Sequence, residues 1–190
     1  MAEVPAVPLP DVLVLNGISS AGTSTLAREL QALLDRPYLV FGVDTLVDAL
    51  PTSGHEDLLT FHDDGRVEVG AAFPALEDAW YAGLGAMARA GAGLVLDEVL
   101  LGGGRSQQRL EAALHGLQVC WVAVHCDVEV ASAREAARGD RTPGMAAQQA
   151  PLVHEGVRYD LQVDTTSQAP AQCARRVREG LLSRPRGRAT

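Results

Sequence analysis

The chain has 190 residues, the size of one domain, and its 47% hydrophobic and 21% charged composition suits a chain that folds around a core. A net charge of −8 and only 4% aromatic residues exclude a general binder of nucleic-acid backbones and an aromatic platform for single strands. All 16 basic residues are arginine, which excludes Schiff-base chemistry and any catalytic ammonium.

Asp11–Asn16 (DVLVLN) is a near-continuous apolar run, the pattern of a strand buried on both faces of a parallel sheet. A Gly/Ser-rich turn over 17–22 leads into a helix with Leu26, Leu30, Leu33 and Leu34 at helical spacing. Tyr38–Val43 reads as a second strand, followed by a short helix, TLVDAL, that stops at Pro51. Between 52 and 70 the rhythm breaks, and two alternating runs around Asp64-Gly65 predict a β-hairpin inserted over one edge of the sheet. A helix over 73–90, a strand over 93–97, a helix over 106–115 and a strand over 119–125 follow. The remainder reads as a helix over 128–138, a Pro/Gly loop over 139–144, a short helix, a strand over 159–163 and a helix over 170–182.

Alternating strands and helices predict an α/β fold with a parallel five-stranded sheet flanked by helices on both faces. The expected organisation is an extended arm over 1–10, one domain over 11–183 and a flexible basic tail over 184–190. From Arg175 onward six arginines stand against one glutamate, which reads as a solvated tail. Three cysteines (Cys120, Cys126, Cys173) without a CxxC spacing suggest reduced thiols. With no cationic-apolar leader and no run of about 18 apolar residues, the expected location is the cytoplasm, away from membranes.

Residues 17–24, GISSAGTS, match the phosphate-loop pattern G-x-x-x-x-G-K-[ST] at every fixed position but one: Thr23 stands where the lysine belongs. The glycines follow a buried strand and open a helix, so the N–H groups of Ser20 to Ser24 would converge on a phosphate, aided by the helix dipole. Gly17 and Gly22 permit positive φ and close approach. Gly17, Ser19, Ser20, Ala21, Gly22, Thr23, Ser24 and Thr25 are the candidate nucleotide-binding residues, with Ser24 at the magnesium-ligand position. A Ser/Gly turn capped by Ser24 or Thr25 would use the same residues structurally. Removing one preorganised donor costs about 10²–10³ in rate, which a slower enzyme survives.

With this loop, FGVD at 41–44 and LDEVLLGGG at 96–104, the sequence resembles the chloramphenicol phosphotransferase family, small P-loop kinases that phosphorylate a hydroxyl of the antibiotic. The resemblance continues through FPALEDAW (73–80), MARAGAGLVLDEV (87–99), REAARGDRTPGMAAQQA (134–150) and VHEGVRYDLQVDTT (153–166), covering 12–166. It implies a P-loop NTPase fold similar to the nucleotide and shikimate kinases, with a lid at about 134–147, and use of ATP and Mg2+. It implies that Asp44 is the general base orienting the acceptor hydroxyl; by position alone Asp44 serves equally as a helix N-cap. Asp97, at a strand end, is placed to hold magnesium through water, the alternative being a strand-end carboxylate or cap, and strand alternation turns Glu98 the other way. Arg134, Arg138 and Arg141 match the lid arginines that neutralise phosphoryl oxygens, the alternative being surface pairs with Glu135 or Asp140.

The departures are GTS for GKS in the loop and the insertion, which lies where the acceptor would bind. There His55, Glu56, His62 and Asp64 are mostly solvated hairpin residues by expectation, and His125 and His154 are expected to be structural. No histidine pair has metal-site spacing, so no structural zinc is expected. The reading is an ATP-dependent, magnesium-assisted phosphotransferase acting on a hydroxyl of a small antibiotic-like molecule, with a resistance role. A nucleotide- or ligand-binding protein without useful catalysis is the alternative that Thr23 supports, and a metabolic small-molecule kinase is a third. The expected partner is a small hydroxyl acceptor, with association as a twofold homodimer the default expectation.

Overall fold

The computed structural model describes residues 9–51, 57–138 and 142–183. Five strands form one parallel sheet: β1 (Val12–Asn16), β2 (Tyr38–Gly42), β5 (Gly93–Glu98), β6 (Val119–His125) and β7 (Leu161–Asp164). Their spatial order is β2-β5-β1-β6-β7, so β1 lies at the centre with every residue buried. Its alternating side chains divide the core. Leu13 and Leu15 pack on one side against α1 (Thr23–Leu33) and α7 (Pro170–Ser183), while Val12 and Val14 face α3 (Phe73–Arg89) and α4 (Gly104–Ala113). Helices on both faces of a parallel sheet are the expected layering.

The remaining elements are α2 (Val43–Asp48), a hairpin of β3 (Leu59–Phe61) and β4 (Val67–Val69), α5 (Val128–Arg138) and α6 (Met145–Gln149). The hairpin forms as predicted, with Gly65 at φ 83°, but as a separate two-stranded sheet. Its tip reaches α6: a Cβ on Gly65 would collide with the Gly144 and Met145 backbone, and one on Gly144 would come within 2.6 Å of the Asp64 carbonyl oxygen. Cys120 and Cys173 are buried thiols outside any disulfide, as expected, and Cys126 is half-buried. Among the described residues no helix is long and apolar enough to cross a membrane. Residues 1–8 of the expected arm and the tail over 184–190 lie outside the described residues.

Several boundaries differ from expectation. α2 begins at Val43, directly after β2, so Gly42 occupies the N-cap and Asp44 the first turn. The Gly42 N–H bonds the Thr45 hydroxyl at 3.3 Å, which closes the turn without Asp44. The reading of Asp44 as an N-cap is therefore corrected. α4 starts two residues earlier than predicted because the Gly104 N–H is already engaged by the Glu155 carbonyl at 2.8 Å. β7 starts two residues later, since Asp160 turns its carboxylate to the Trp121 N–H at 2.8 Å.

Asn16, 0% exposed, ties three segments to the end of β1. Its Oδ1 accepts from the Leu100 N–H at 3.0 Å, so Nδ2 donates to the Val153 carbonyl at 2.6 Å and to the Tyr159 hydroxyl at 2.5 Å. The Tyr159 proton then goes to His154 Nδ1 at 2.6 Å, which must be unprotonated. Burial raises the Tyr159 phenol to about 12. Burial and the neighbouring His125, whose ring lies 4.7 Å away, lower the His154 pKa. His154 and His125 thus serve the structure, as expected.

Two predictions follow from this network. Asn16→Leu leaves two buried backbone groups and a hydroxyl without their partner, and should lower the unfolding free energy by about 3 kcal/mol in urea titrations. Because the folded pKa of His154 lies below its ordinary 6.5, the unfolded chain binds the proton first. Its contribution to stability is complete above about pH 6.5 and is lost as pH falls toward the lowered folded value. Urea titrations at pH 7.5 and pH 5 should show that loss, and His154→Gln, which can still accept from Tyr159, should reduce it.

Candidate active site

The C-terminal ends of β1, β2 and β5 converge at the phosphate loop. Left-handed backbone occurs at Ser20 (φ 58°) and Gly22 (φ 89°), which turns successive N–H groups toward one point. Of the two properties expected of Gly17, it uses close approach and not positive φ: a Cβ there would lie 2.8 Å from the Val124 carbonyl oxygen. A non-glycine left-handed residue such as Ser20 costs on the order of 1 kcal/mol, held by its surroundings. The loop is braced by the Thr165 hydroxyl, which donates to the Ala21 carbonyl at 2.6 Å, and by the Ala21 N–H to Ile18 O bond at 3.1 Å. At the start of α1 the N–H groups of Thr23, Ser24 and Thr25 have no carbonyl one turn earlier in the helix. No acidic residue stands in that first turn, and the Gly22 cap has no side chain to fill it. A terminus with free N–H groups and no acidic residue has the geometry that suits an anion.

Thr23 is 7% exposed, and its methyl group lies 3.3 Å from where a Gly17 Cβ would be. The residue at the lysine position therefore packs down onto the loop. Ser24 and Thr25 are exposed at the helix start.

Two strands bring the carboxylates to the same edge. Gly42 pairs in register with Asp97, and a Cβ on Gly42 would collide with the Asp97 carbonyl, so β2 and β5 close up tightly where Asp44 and Asp97 emerge. Asp44 is exposed and Asp97 half-buried. Along β5, Val95 packs on the α1 side and Leu94 and Leu96 on the α3 side, so Asp97 belongs to the loop side and Glu98 to the other, as alternation predicts. Glu98 is 2% exposed with Oε1 unpartnered. Burial first, then the charges of Asp97, Glu77 and Asp44, push its carboxyl well above the usual range. Beneath it, Arg109 holds Glu77 at 2.5 Å and Asp78 at 2.6 Å, and the Tyr81 hydroxyl donates to Glu77 at 3.2 Å.

Among the described residues no three His, Cys, Asp or Glu side chains gather into a metal cage. The exposed Ser24 hydroxyl and the Asp97 carboxylate are hard oxygen donors on the loop side of the sheet. That set suits magnesium, which keeps several waters and takes few protein ligands.

Arg134 and Arg138 share one face of α5 at i, i+4. Arg134 donates to the Thr165 carbonyl at 2.7 Å and to the Cys126 sulfur at 3.3 Å. It lines a cleft of about 280 Å³ with Ala21, Gly22, Thr25, Thr165 and Gln168, beside the loop. Arg138 is exposed at the end of α5, and Arg141 lies outside the described residues, as do His55 and Glu56. Glu135, in the alternative reading a surface partner for these arginines, is 2% exposed. Its carboxylate accepts from the Ser19 hydroxyl at 2.9 Å and from the N–H groups of Gly144 at 2.8 Å and Ala146 at 3.2 Å. Gln149 Oε1 accepts from the Ser19 N–H at 2.6 Å. Neither residue carries a local sequence signal for this role. In the hairpin, His62 and Arg66 both engage Glu68, at 3.0 and 3.1 Å, and Asp64 caps its own turn, the solvated arrangement expected of them.

Known proteins bear on this geometry in three ways. The chain is 28% identical to a Mycobacterium tuberculosis H37Rv protein named "Putative O-phosphotransferase", the match covering 97% of this chain and 88% of that protein. Similar solved structures include a gluconokinase from Sinorhizobium meliloti 1021 (TM-score 0.60, 18% identity, 91% of this chain and 92% of that one). Another is the Acinetobacter baumannii shikimate kinase in complex with shikimate (TM-score 0.59, 16% identity, 93% and 95% coverage). A third is the Mycobacterium tuberculosis APS kinase with AMPPNP and APS (TM-score 0.60, 17% identity, 93% and 99% coverage). These likenesses carry the P-loop kinase fold. The family model for chloramphenicol phosphotransferase-like protein matches residues 10–182, and the chain belongs to that family of phosphotransferases on the P-loop kinase fold.

Proposed function

We propose that this protein is an ATP-dependent, magnesium-assisted O-phosphotransferase whose acceptor is a hydroxyl of a small antibiotic-like molecule, chloramphenicol being the first candidate. The observation that carries this reading is the open anion-binding nest at Ser20–Thr25 on the sheet edge where Asp44 and Asp97 emerge. In the proposed step the acceptor O–H gives its proton to Asp44 as its oxygen attacks the γ-phosphorus. The bond from that phosphorus to the bridging oxygen breaks, and ADP leaves. The N–H groups from Ser20 to Ser24 hold the nucleotide phosphates, with Gly17, Ser19, Ala21, Gly22, Thr23 and Thr25 shaping the turn. Ser24 and Asp97 hold magnesium, which supplies charge neutralisation when bound. Arg134, which lines the cleft beside Gly22 and Thr25, is fitted to the nucleotide side, and Arg138 and Arg141 to the transferred group. A role in antibiotic resistance, a cytoplasmic location and a twofold dimer belong to the same proposal.

The packed-down Thr23 favours a second reading, a protein that binds nucleotide or ligand without useful turnover. A mass-spectrometric transfer assay with Mg·ATP separates the two. The acceptor panel should hold hydroxylated antibiotics beside ordinary metabolites. The proposal expects a product one phosphoryl group heavier, with Asp44→Asn slower by about 10²–10⁴. Thr23→Lys should be faster by up to about 10². Nucleotide binding without wild-type product, and product only from Thr23→Lys, establishes the second reading. Best turnover on an ordinary metabolite replaces the acceptor class.

A further inference from the structure

Both donors of Ser19 are claimed by elements more than a hundred residues away. Its hydroxyl donates to Glu135 on α5 and its N–H to Gln149 on α6. The next residue, Ser20, is the one described non-glycine residue in left-handed backbone, and its own hydroxyl is buried without a partner. Nothing that Ser20 contributes accounts for its conformation, so the restraint must come from its neighbours. Glu135 is suited to supply it. A buried carboxylate requires donors, and its three donors lie on two separate segments, Ser19 in the loop and Gly144 and Ala146 at the start of α6. One side chain thereby fixes the distance between the loop and α6. The same end of α6 receives the hairpin tip at Gly65, so the hairpin is set from this point as well.

We propose that Glu135 is a positioning residue for the phosphate loop: by holding Ser19 against the start of α6, it keeps Ser20 in the conformation that aims the loop amides at a phosphate. The consequence for nucleotide binding rests on the function proposed above; the consequence for the loop itself does not. Glutamine is the informative substitute because its amide cannot accept from all three donors at once.

The test is a double-mutant cycle with Glu135→Gln and Ser20→Gly, read by titration of a fluorescent Mg·ATP analogue and by hydrogen exchange of the unliganded full chain. Glu135→Gln should weaken nucleotide binding about tenfold in the wild-type background. In the Ser20→Gly background, where glycine adopts positive φ at no steric cost, the loss should shrink to about twofold. Exchange across 17–25 should accelerate while β5 and β6 remain unchanged. An equal loss in both backgrounds, or acceleration confined to 144–146, overturns the proposal. Should Glu135→Gln not fold, Ser19→Ala removes the same link while leaving the α6 start intact, and must accelerate exchange over 17–25 for the proposal to stand. Failure of the wild type to bind any Mg·nucleotide defeats the proposed function, and the exchange result then decides this inference alone.

Discussion

One buried amide, Asn16, holds together the segments that meet at the end of the central strand. It stands at the last position of the central strand, and its three hydrogen bonds run to the turn after β5, to the segment after α6 and to Tyr159. Each of those segments would otherwise bury backbone or hydroxyl groups beside the core, at a cost of about 1–3 kcal/mol apiece. Satisfying them from the residue immediately before Gly17 gives the phosphate loop a fixed floor.

Charge tells a complementary story. The β2–β5 edge gathers Asp44, Asp97 and Glu98, with Glu77 close enough to affect Glu98, while the loop that would face phosphates lacks its usual ammonium. Two carboxylates emerge toward solvent and one is driven inward, where burial and its neighbours oppose its ionisation. Arg109 offsets part of this field from beneath, through Glu77 and Asp78 on α3. Among the described residues the candidate cations Arg134 and Arg138 stand on α5, so the two signs are carried by different elements of the fold.

How much of this was legible in the sequence depends on the range of the interaction involved. β6 and α5 match their predicted limits because an apolar run and a helical pattern are local properties, read from seven to eleven consecutive residues. The alternation that turns Asp97 and Glu98 to opposite sides is equally local. The start of α2 was misread because helix follows strand with no intervening loop, and Gly42 caps it through extended backbone and the Thr45 hydroxyl. The burial of Glu135 is hidden for the opposite reason. Within REAAR it has the appearance of a surface residue, and only the approach of Ser19, Gly144 and Ala146 makes it a buried one. Ser20 carried no warning of positive φ, since serine rarely adopts it and the restraint is tertiary.

The interlock of Gly65 with Gly144 has an evolutionary reading. A Cβ on Gly65 would project into the Gly144 backbone and one on Gly144 into the Asp64 carbonyl, so a substitution at either is opposed by the backbone of the partner segment. In an alignment of descendants that keep this appendage, the two columns should remain glycine together or change together. Hairpin tips ordinarily drift in length, but this one is anchored at its apex. Divergence of the appendage is therefore channelled into the outward side chains of β3 and β4, such as Phe61 and Val69, rather than into insertions at the turn.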